Sequence, residues 1–224
     1  MTGPKNDHDC RRPPENGPVT TEQTPSPAPA VSEFTLHAWV DESIHTPRPN
    51  IQGMYVLASV VADPTGCDHA RAALAELLPK GRARLHWRDE SESLRRKVIA
   101  TIATCDFVSL VVVGVEMQPS KQERARRKCL RRLLHEMENL GVSQVWLESR
   151  TTSLNRQDMW LVDRLRGERA IGTGLRVDMS RPLEESMLWV PDAIAGAVSA
   201  ARKGGETEHR ETLGSMVQEI DLAL

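Results

Sequence analysis

The chain has 224 residues, of which 39% are hydrophobic and 27% charged, and its formal net charge is −2. The N-terminus has no apolar stretch that suits a signal peptide, and no run approaches the length of a bilayer span. The small net charge gives no global field that would attract nucleic acid or a membrane. The four cysteines, Cys10, Cys67, Cys105 and Cys129, form no CxxC pair, which argues against a zinc ribbon and predicts a cytoplasmic protein with reduced thiols.

The first 32 residues are rich in proline, threonine, glycine and charge, and they contain almost nothing to bury. Because such a composition does not offset the entropy lost on ordering, residues 1–32 are predicted to be a disordered tail. From Glu33 onward, strand-like and helix-like stretches alternate. That alternation indicates one α/β domain over 33–224.

Hydrophobic periodicity predicts the elements of this domain in chain order. Strands are expected over 36–43, 54–62, 107–115, 142–149 and 175–180, and helices over 67–79, 91–104, 120–140, 155–168, 184–202 and 208–222. The loop between the first two strands holds two prolines and a glycine, which is typical of a hairpin connection. The sequence therefore predicts a mixed sheet of about five strands flanked by helices, with a helical insertion after the second strand.

Acidic residues end two of the predicted strands. Asp41 ends the first strand and Glu148 ends the fourth. If these strands are parallel neighbours, both carboxylates emerge at the carboxyl edge of the sheet, where ligands bind in open α/β sheets. Alternation along the strand puts Asp41 on the same face as Trp39 and puts Glu42 on the opposite face. Carboxylates at the end of an apolar strand are costly unless they find a partner.

A third acid, Asp192, lies in the stretch LWVPDAIAG over 188–196, inside a predicted helix. On a helical wheel Asp192 and Gly196 lie roughly opposite the apolar stripe of that helix. Periodicity alone favours a solvent-exposed position for Asp192. A position facing the two strand-end acids is the alternative.

The stretch VDES over 40–43 and the late LWVPDAIAG motif resemble an uncharacterised bacterial domain family of the ribonuclease-H-like superfamily. Its members typically open with Asp-Glu-Ser, often followed by Gly, and carry a late helix of the form Leu-Gln-x-Ala-Asp-x-x-Ala-Gly. Here Ile44 replaces the glycine, while Trp189 and Pro191 replace the glutamine and the first alanine. The resemblance covers roughly residues 36–201. The predicted order, with three strands early and two more reached through helices, also resembles a ribonuclease-H-like domain.

The resemblance implies that Asp41, Glu148 and Asp192 bind Mg²⁺ or Mn²⁺ through their carboxylate oxygens. Two such ions about 3.5–4 Å apart stabilise the attacking and leaving oxygens of a phosphodiester, so the implied activity is that of a metal-dependent nuclease acting on RNA or DNA. A fourth ligand is expected at the start of the helix after the third strand, where Glu123 is the first candidate and Glu116 the second.

Two other functions remain open at this stage. One is a catalytically inactive binding module of the same fold. The other is a glycosidase with a carboxylate pair, which an aromatic content of only 4% disfavours because sugar-binding sites use aromatic platforms.

The stretch LHWRDESES over 85–93 contains further candidates. We interpret His86 as a group that steers a proton or a phosphate, since members of the family often carry a similar stretch, and Arg88 as a phosphate ligand. Asp89 with Glu92 has the spacing of a capping box at the start of the next helix, and that structural role is the preferred interpretation of Asp89.

The predicted helix over 121–140 is amphipathic. One face is apolar, and the opposite face carries Arg124, Lys128, Arg131 and His135. This is the densest basic patch of the chain, and it predicts contact with a nucleic-acid backbone. A solvated charged face is the commoner meaning of such a pattern. Few aromatic residues flank the patch, which argues against base stacking.

Overall fold

The computed structural model describes residues 1–3, 35–49 and 52–224. The predicted tail over 1–32 lies outside the described residues except for its first three positions. From Thr35 on, the described residues belong to one compact unit, Phe34–Leu224.

A mixed sheet forms the centre of this unit. Its strands are β1 Leu36–His45, β2 Met54–Ala62, β3 Val108–Val115, β4 Val142–Glu148, β5 Arg176–Ser180 and β6 Val217–Ala223. They lie in the order β5-β4-β1-β2-β3-β6. β2 is antiparallel to both of its neighbours, β1 and β3. β4 and β5 run parallel to β1, and β6 runs parallel to β3.

Helices cover both faces of the sheet. They are α1 Asp68–Glu76, α2 Glu92–Ala103, α3 Gln122–Asn139, α4 Thr152–Gly167, α5 Trp189–Arg202 and α6 Glu208–Leu213. α5 crosses β1 and β2 on one face together with residues of α1, α2 and α6, and we call this the α5 face. α3 and α4 cover the other, the α3 face. No helix in the described part of the chain is both long and apolar enough to cross a membrane.

Each face of the sheet has its own hydrophobic core, because successive strand residues point to opposite sides. Trp39 is fully buried in the core of the α5 face, while Ala38 and Val40 are buried in the core of the α3 face. Full burial of one large apolar side chain contributes about 1.5–3 kcal/mol, so the two cores fix the register of β1 firmly. That register decides which way the acids after Val40 point.

The end of the chain differs from the prediction of a helix over 208–222. α6 ends at Leu213, and Gly214 follows with a φ of 54°, in the left-handed region that favours glycine. The last residues then form β6, which gives the outer edge of β3 a parallel partner. Glu219 of β6 binds both Arg202 and Arg210, at 2.6 Å each. The described sheet therefore has six strands rather than about five.

The other predicted elements agree with the structure to within a few residues. The largest shift is at α5, which begins at Trp189 rather than near residue 184 because Ser186–Leu188 form a 3₁₀ turn. The Glu185 side chain caps that turn by accepting a hydrogen bond from the Met187 amide. Pro191 lies in the first turn of α5, where its missing amide leaves no intrahelical hydrogen bond unmade.

Candidate functional site

The predicted strand-end acids come together because their strands are parallel neighbours. The register pairs Val40 of β1 with Leu147 of β4, so the next residues, Asp41 and Glu148, lie side by side where β4 ends. Beyond this point β1 continues to His45, paired with β2. Both acids lie on the α5 face of the sheet, as alternation predicted.

The two carboxyl groups are close enough to change each other's protonation. Asp41 is only 7% exposed. Burial, and then the charges of Glu148, Asp192 and Glu42, raises the pKa of Asp41 well above its usual value. Burial also raises the pKa of Glu148. Because two ionised carboxylates so close repel each other, the pair is unfavourable without a shared proton or a nearby positive charge.

The third acid, Asp192, extends from the first turn of α5. Its Oδ2 atom accepts a hydrogen bond of 2.8 Å from the Trp87 backbone amide and lies 3.2 Å from His86 Nδ1. Its negative charge helps to raise the pKa of both Asp41 and Glu148. Its side chain is 16% exposed, so the solvent-facing position that periodicity favoured is wrong. The segment around Trp87 covers this side of α5, which a helical wheel does not reveal.

Gly196 makes room for that segment. A Cβ atom at position 196 would lie 2.1 Å from Trp87 Cδ1. Trp87 is also held by Arg95, whose Nε donates a 2.9 Å hydrogen bond to the Trp87 carbonyl and whose guanidinium lies 5.1 Å from the ring centroid. The glycine four residues after Asp192 therefore allows Trp87 to bring its amide to that acid.

His86 and Arg84 border the three acids from the same segment. The hydrogen bond with Asp192 raises the pKa of His86, so its protonated form persists to higher pH. Arg84 Nη1 lies 3.6 Å from Glu148 Oε1, and the sequence analysis did not single out this residue. One positive charge therefore already faces the carboxyl pair.

The preferred interpretation of Asp89 as a helix cap is wrong. Ser91 is the N-cap of α2, and its hydroxyl accepts a hydrogen bond from the Leu94 amide. Asp89 instead ends a 3₁₀ turn over Trp87–Asp89, two residues too early to cap the helix. Ser and Asp are both good N-caps, so spacing alone did not separate them.

Glu123 belongs to an ion-pair network on the α3 face and is not brought to the three acids. Arg150 binds Glu123 at 2.8 Å and Asp158 at 3.0 Å. Asp158 also binds the buried guanidinium of Arg126 at 2.9 Å, and Arg126 in turn pairs with Glu42. The carboxylate expected to be a fourth ligand is thus neutralised by arginine on the opposite face. Sequence reasoning missed Arg126, because a buried arginine is rare.

The second candidate for a fourth ligand, Glu116, is exposed in the turn after β3, two strands away from β1. The basic patch predicted on α3 likewise lies on the α3 face. Lys128 Nζ donates to the Ala223 carbonyl at 3.3 Å, and Arg131 pairs with Glu168 at 2.9 Å. Arg124 lines a small surface cavity beside Glu116. The structure therefore does not bring this patch to the acids.

Another set of positive residues does adjoin the acids. Arg48, Arg88 and Lys203 line one pocket together with His45. Arg48 follows β1, Arg88 lies in the turn after His86, and Lys203 follows α5. Of these, only Arg88 was a sequence-based candidate, because residues so far apart in the chain form no local pattern.

The structure describes one group of three metal-ligating residues whose ligand atoms all lie within 4.8 Å of one another, and it consists of Glu92, Glu206 and His209. The carboxylate oxygens of Asp41, Glu148 and Asp192 do not all lie within that distance of one another. His209 Nε2 lies 2.8 Å from Glu92 Oε1, and Arg96 also pairs with Glu92 at 3.7 Å.

Comparison of the chain with models of protein families, with curated proteins and with solved structures finds no match. The site is therefore interpreted from its own residues. The resemblance to the ribonuclease-H-like superfamily stays an interpretation of the sequence.

Proposed function

We propose that the protein is a divalent-metal-dependent nuclease that hydrolyses phosphodiester bonds of RNA or DNA. The observation that carries the proposal is that Asp41 and Glu148 lie side by side on two parallel neighbouring strands, where β4 ends. Such a pair is unfavourable without a cation or a shared proton, and Mg²⁺ and Mn²⁺ prefer carboxylate oxygens.

The order of the strands supports the proposal. Three antiparallel strands followed by two that are reached through helices and run parallel to β1 agree with a ribonuclease-H-like sheet. β6 is an addition at the edge of β3. In this interpretation, the carboxyl end of β4 is the expected place for the site.

The three acids and His86 have distinct roles in this proposal. Asp41 and Glu148 provide oxygen ligands directly, and Asp192, which Trp87 orients, provides the third. When bound, Mg²⁺ or Mn²⁺ activates a water molecule and neutralises charge on the phosphate. His86 uses Nδ1 to contact Asp192, which leaves Nε2 for the substrate. With its raised pKa, His86 is suited to donate a proton to the leaving oxygen.

A cleavage assay tests the proposal. The full chain should degrade labelled RNA or DNA only when Mg²⁺ or Mn²⁺ is present, and EDTA should stop the reaction. Asp41→Asn should abolish cleavage, whereas Asp106→Asn, which removes an exposed acid from the segment before β3, should leave it unchanged. If the wild type cleaves none of these substrates with either ion, the protein is not the nuclease proposed here.

A catalytically inactive binding module of the same fold is the second candidate, and the contact of Arg84 with Glu148 favours it. A guanidinium at this position neutralises part of the charge that a cation would otherwise neutralise. Calorimetry with Mg²⁺ and Mn²⁺ separates the two candidates from binding alone. A nuclease binds an ion at the site in the absence of substrate. A binding module in which Arg84 takes the place of the cation beside Glu148 binds none.

A further inference from the structure

Positive side chains from three distant parts of the chain converge on one pocket. Arg48, Arg88 and Lys203 line a cavity of about 480 Å³ together with His45. Lys203 Nζ lies 3.4 Å from His45 Nδ1. Among the described residues, no aspartate or glutamate lines this cavity.

The positive charges of this pocket act on one another. Burial, followed by the charges of Lys203, Arg88 and Arg48, lowers the pKa of His45 to about 4. Burial, followed by Arg48 and Arg88, lowers the pKa of Lys203. Cations gathered in this way are unfavourable unless an anion lies between them.

The pocket adjoins the carboxylate site. A second cavity of about 220 Å³ is lined by the same His45, Arg88 and Lys203 and also by His86 and two acids, Glu42 and Asp192. A negatively charged group bound among the positive residues would therefore lie next to the acids.

We infer that Arg48, Arg88 and Lys203 form a phosphate subsite that holds the backbone of a nucleic-acid strand beside the Asp41–Glu148–Asp192 site. The inference rests on the proposed function and names the surface that the substrate occupies. Arginine binds phosphate oxygens through two parallel N–H donors, and lysine acts as a point charge. Contacts to phosphate position a strand without reading its sequence, so this subsite binds strands of different sequence alike.

The inference moves the nucleic-acid surface from the α3 face to the α5 face. The basic patch of α3 lies on the side of the sheet away from the acids, and two of its members, Lys128 and Arg131, already have partners. Those residues therefore serve as a matched control that removes equal charge at a place remote from the site.

Binding of a fluorescent, phosphorothioate-linked single-stranded DNA to the full chain tests the inference. Anisotropy is measured at several salt concentrations, in EDTA and in Mg²⁺. Arg48→Gln and Lys203→Gln should each weaken binding about fivefold to tenfold and reduce the slope of log affinity against log salt by about 0.7, the value for one contact to a single strand. The control variants Lys128→Gln and Arg131→Gln should bind like the wild type.

The outcomes separate this inference from the proposed function. If Arg48→Gln and Lys203→Gln bind like the wild type, or if the control variants lose as much affinity, the subsite is overturned even where the protein cleaves nucleic acid. If no cleavage is found with any ion but Arg48→Gln and Lys203→Gln still lose affinity, the subsite stands and the nuclease proposal fails.

Discussion

Asp41 and Glu42 are consecutive residues of β1, yet their carboxylates lie on opposite faces of the sheet. Asp41 faces a negative charge, whereas Glu42 faces a positive one. Asp41 lies beside Glu148, whose negative charge acts on it. Glu42 pairs with the guanidinium of Arg126, a side chain that is 1% exposed. Removing the charge of each acid should therefore change the stability of the protein in opposite directions.

Asp41→Asn should leave the metal-free protein as stable as the wild type or slightly more stable, because it relieves repulsion among carboxylates while keeping the shape of the side chain. The stabilisation that Mg²⁺ or Mn²⁺ adds, which arises from binding to the folded state alone, should fall. Thermal unfolding with and without each ion, together with calorimetry, measures both effects. A variant that binds the ions as tightly as the wild type would show that the cation site lies elsewhere.

Glu42→Gln should destabilise the protein by about 1.5–3 kcal/mol, because a hydrogen bond to a charged, buried group is lost. Arg126 keeps its contact with Asp158, so the fold should survive the change. Denaturant unfolding measures the loss of free energy, and the exposed Asp89→Asn is the control. Equal stability of the two variants would contradict a structural role for the Glu42–Arg126 pair.

The central acids were predictable because local rules determine them. Alternation in a strand with two buried faces fixes the side to which Asp41 points, and a parallel neighbour places Glu148 beside it. The inward position of Asp192 was not predictable from periodicity. It depends on Trp87, which the chain brings against Gly196 from more than a hundred residues away.

Charge partners were harder to predict than strand faces. Glu123 is a carboxylate in the first turn of the helix after β3, where a metal ligand was expected. In the structure it pairs with Arg150 instead. The pocket of Arg48 and Lys203 has no signature in any sequence window, because its members meet only in the folded chain. The prediction of a helix up to residue 222 was wrong for a similar reason. The last residues pair with the edge of β3, a contact between distant parts of the chain that the local sequence pattern does not show.

Gly196→Ala should destabilise the protein by about 1–3 kcal/mol, because the added methyl group overlaps the Trp87 ring and overpacks the contact with α5. It should also weaken metal binding, since displacing Trp87 removes the amide that orients Asp192. Gly167→Ala is the matched control: a Cβ atom there meets nothing within 4 Å. The control should be more stable by about 0.4–1 kcal/mol. Urea unfolding of the two variants compares them, and similar free energies would show that position 196 tolerates a side chain.

Lys203→Gln should raise the pKa of His45, which burial and then the charge of Lys203 lower to about 4. In the wild type, the unfolded chain binds a proton near pH 6.5, but folded His45 remains neutral until about pH 4. Stability is therefore lost as the pH falls through this window, and Lys203→Gln should reduce that loss. Titration of the His45 ring followed by NMR measures the pKa directly, with Lys128→Gln as a control of equal charge. An unchanged His45 pKa in Lys203→Gln would show that the positive charges of this pocket do not act on one another.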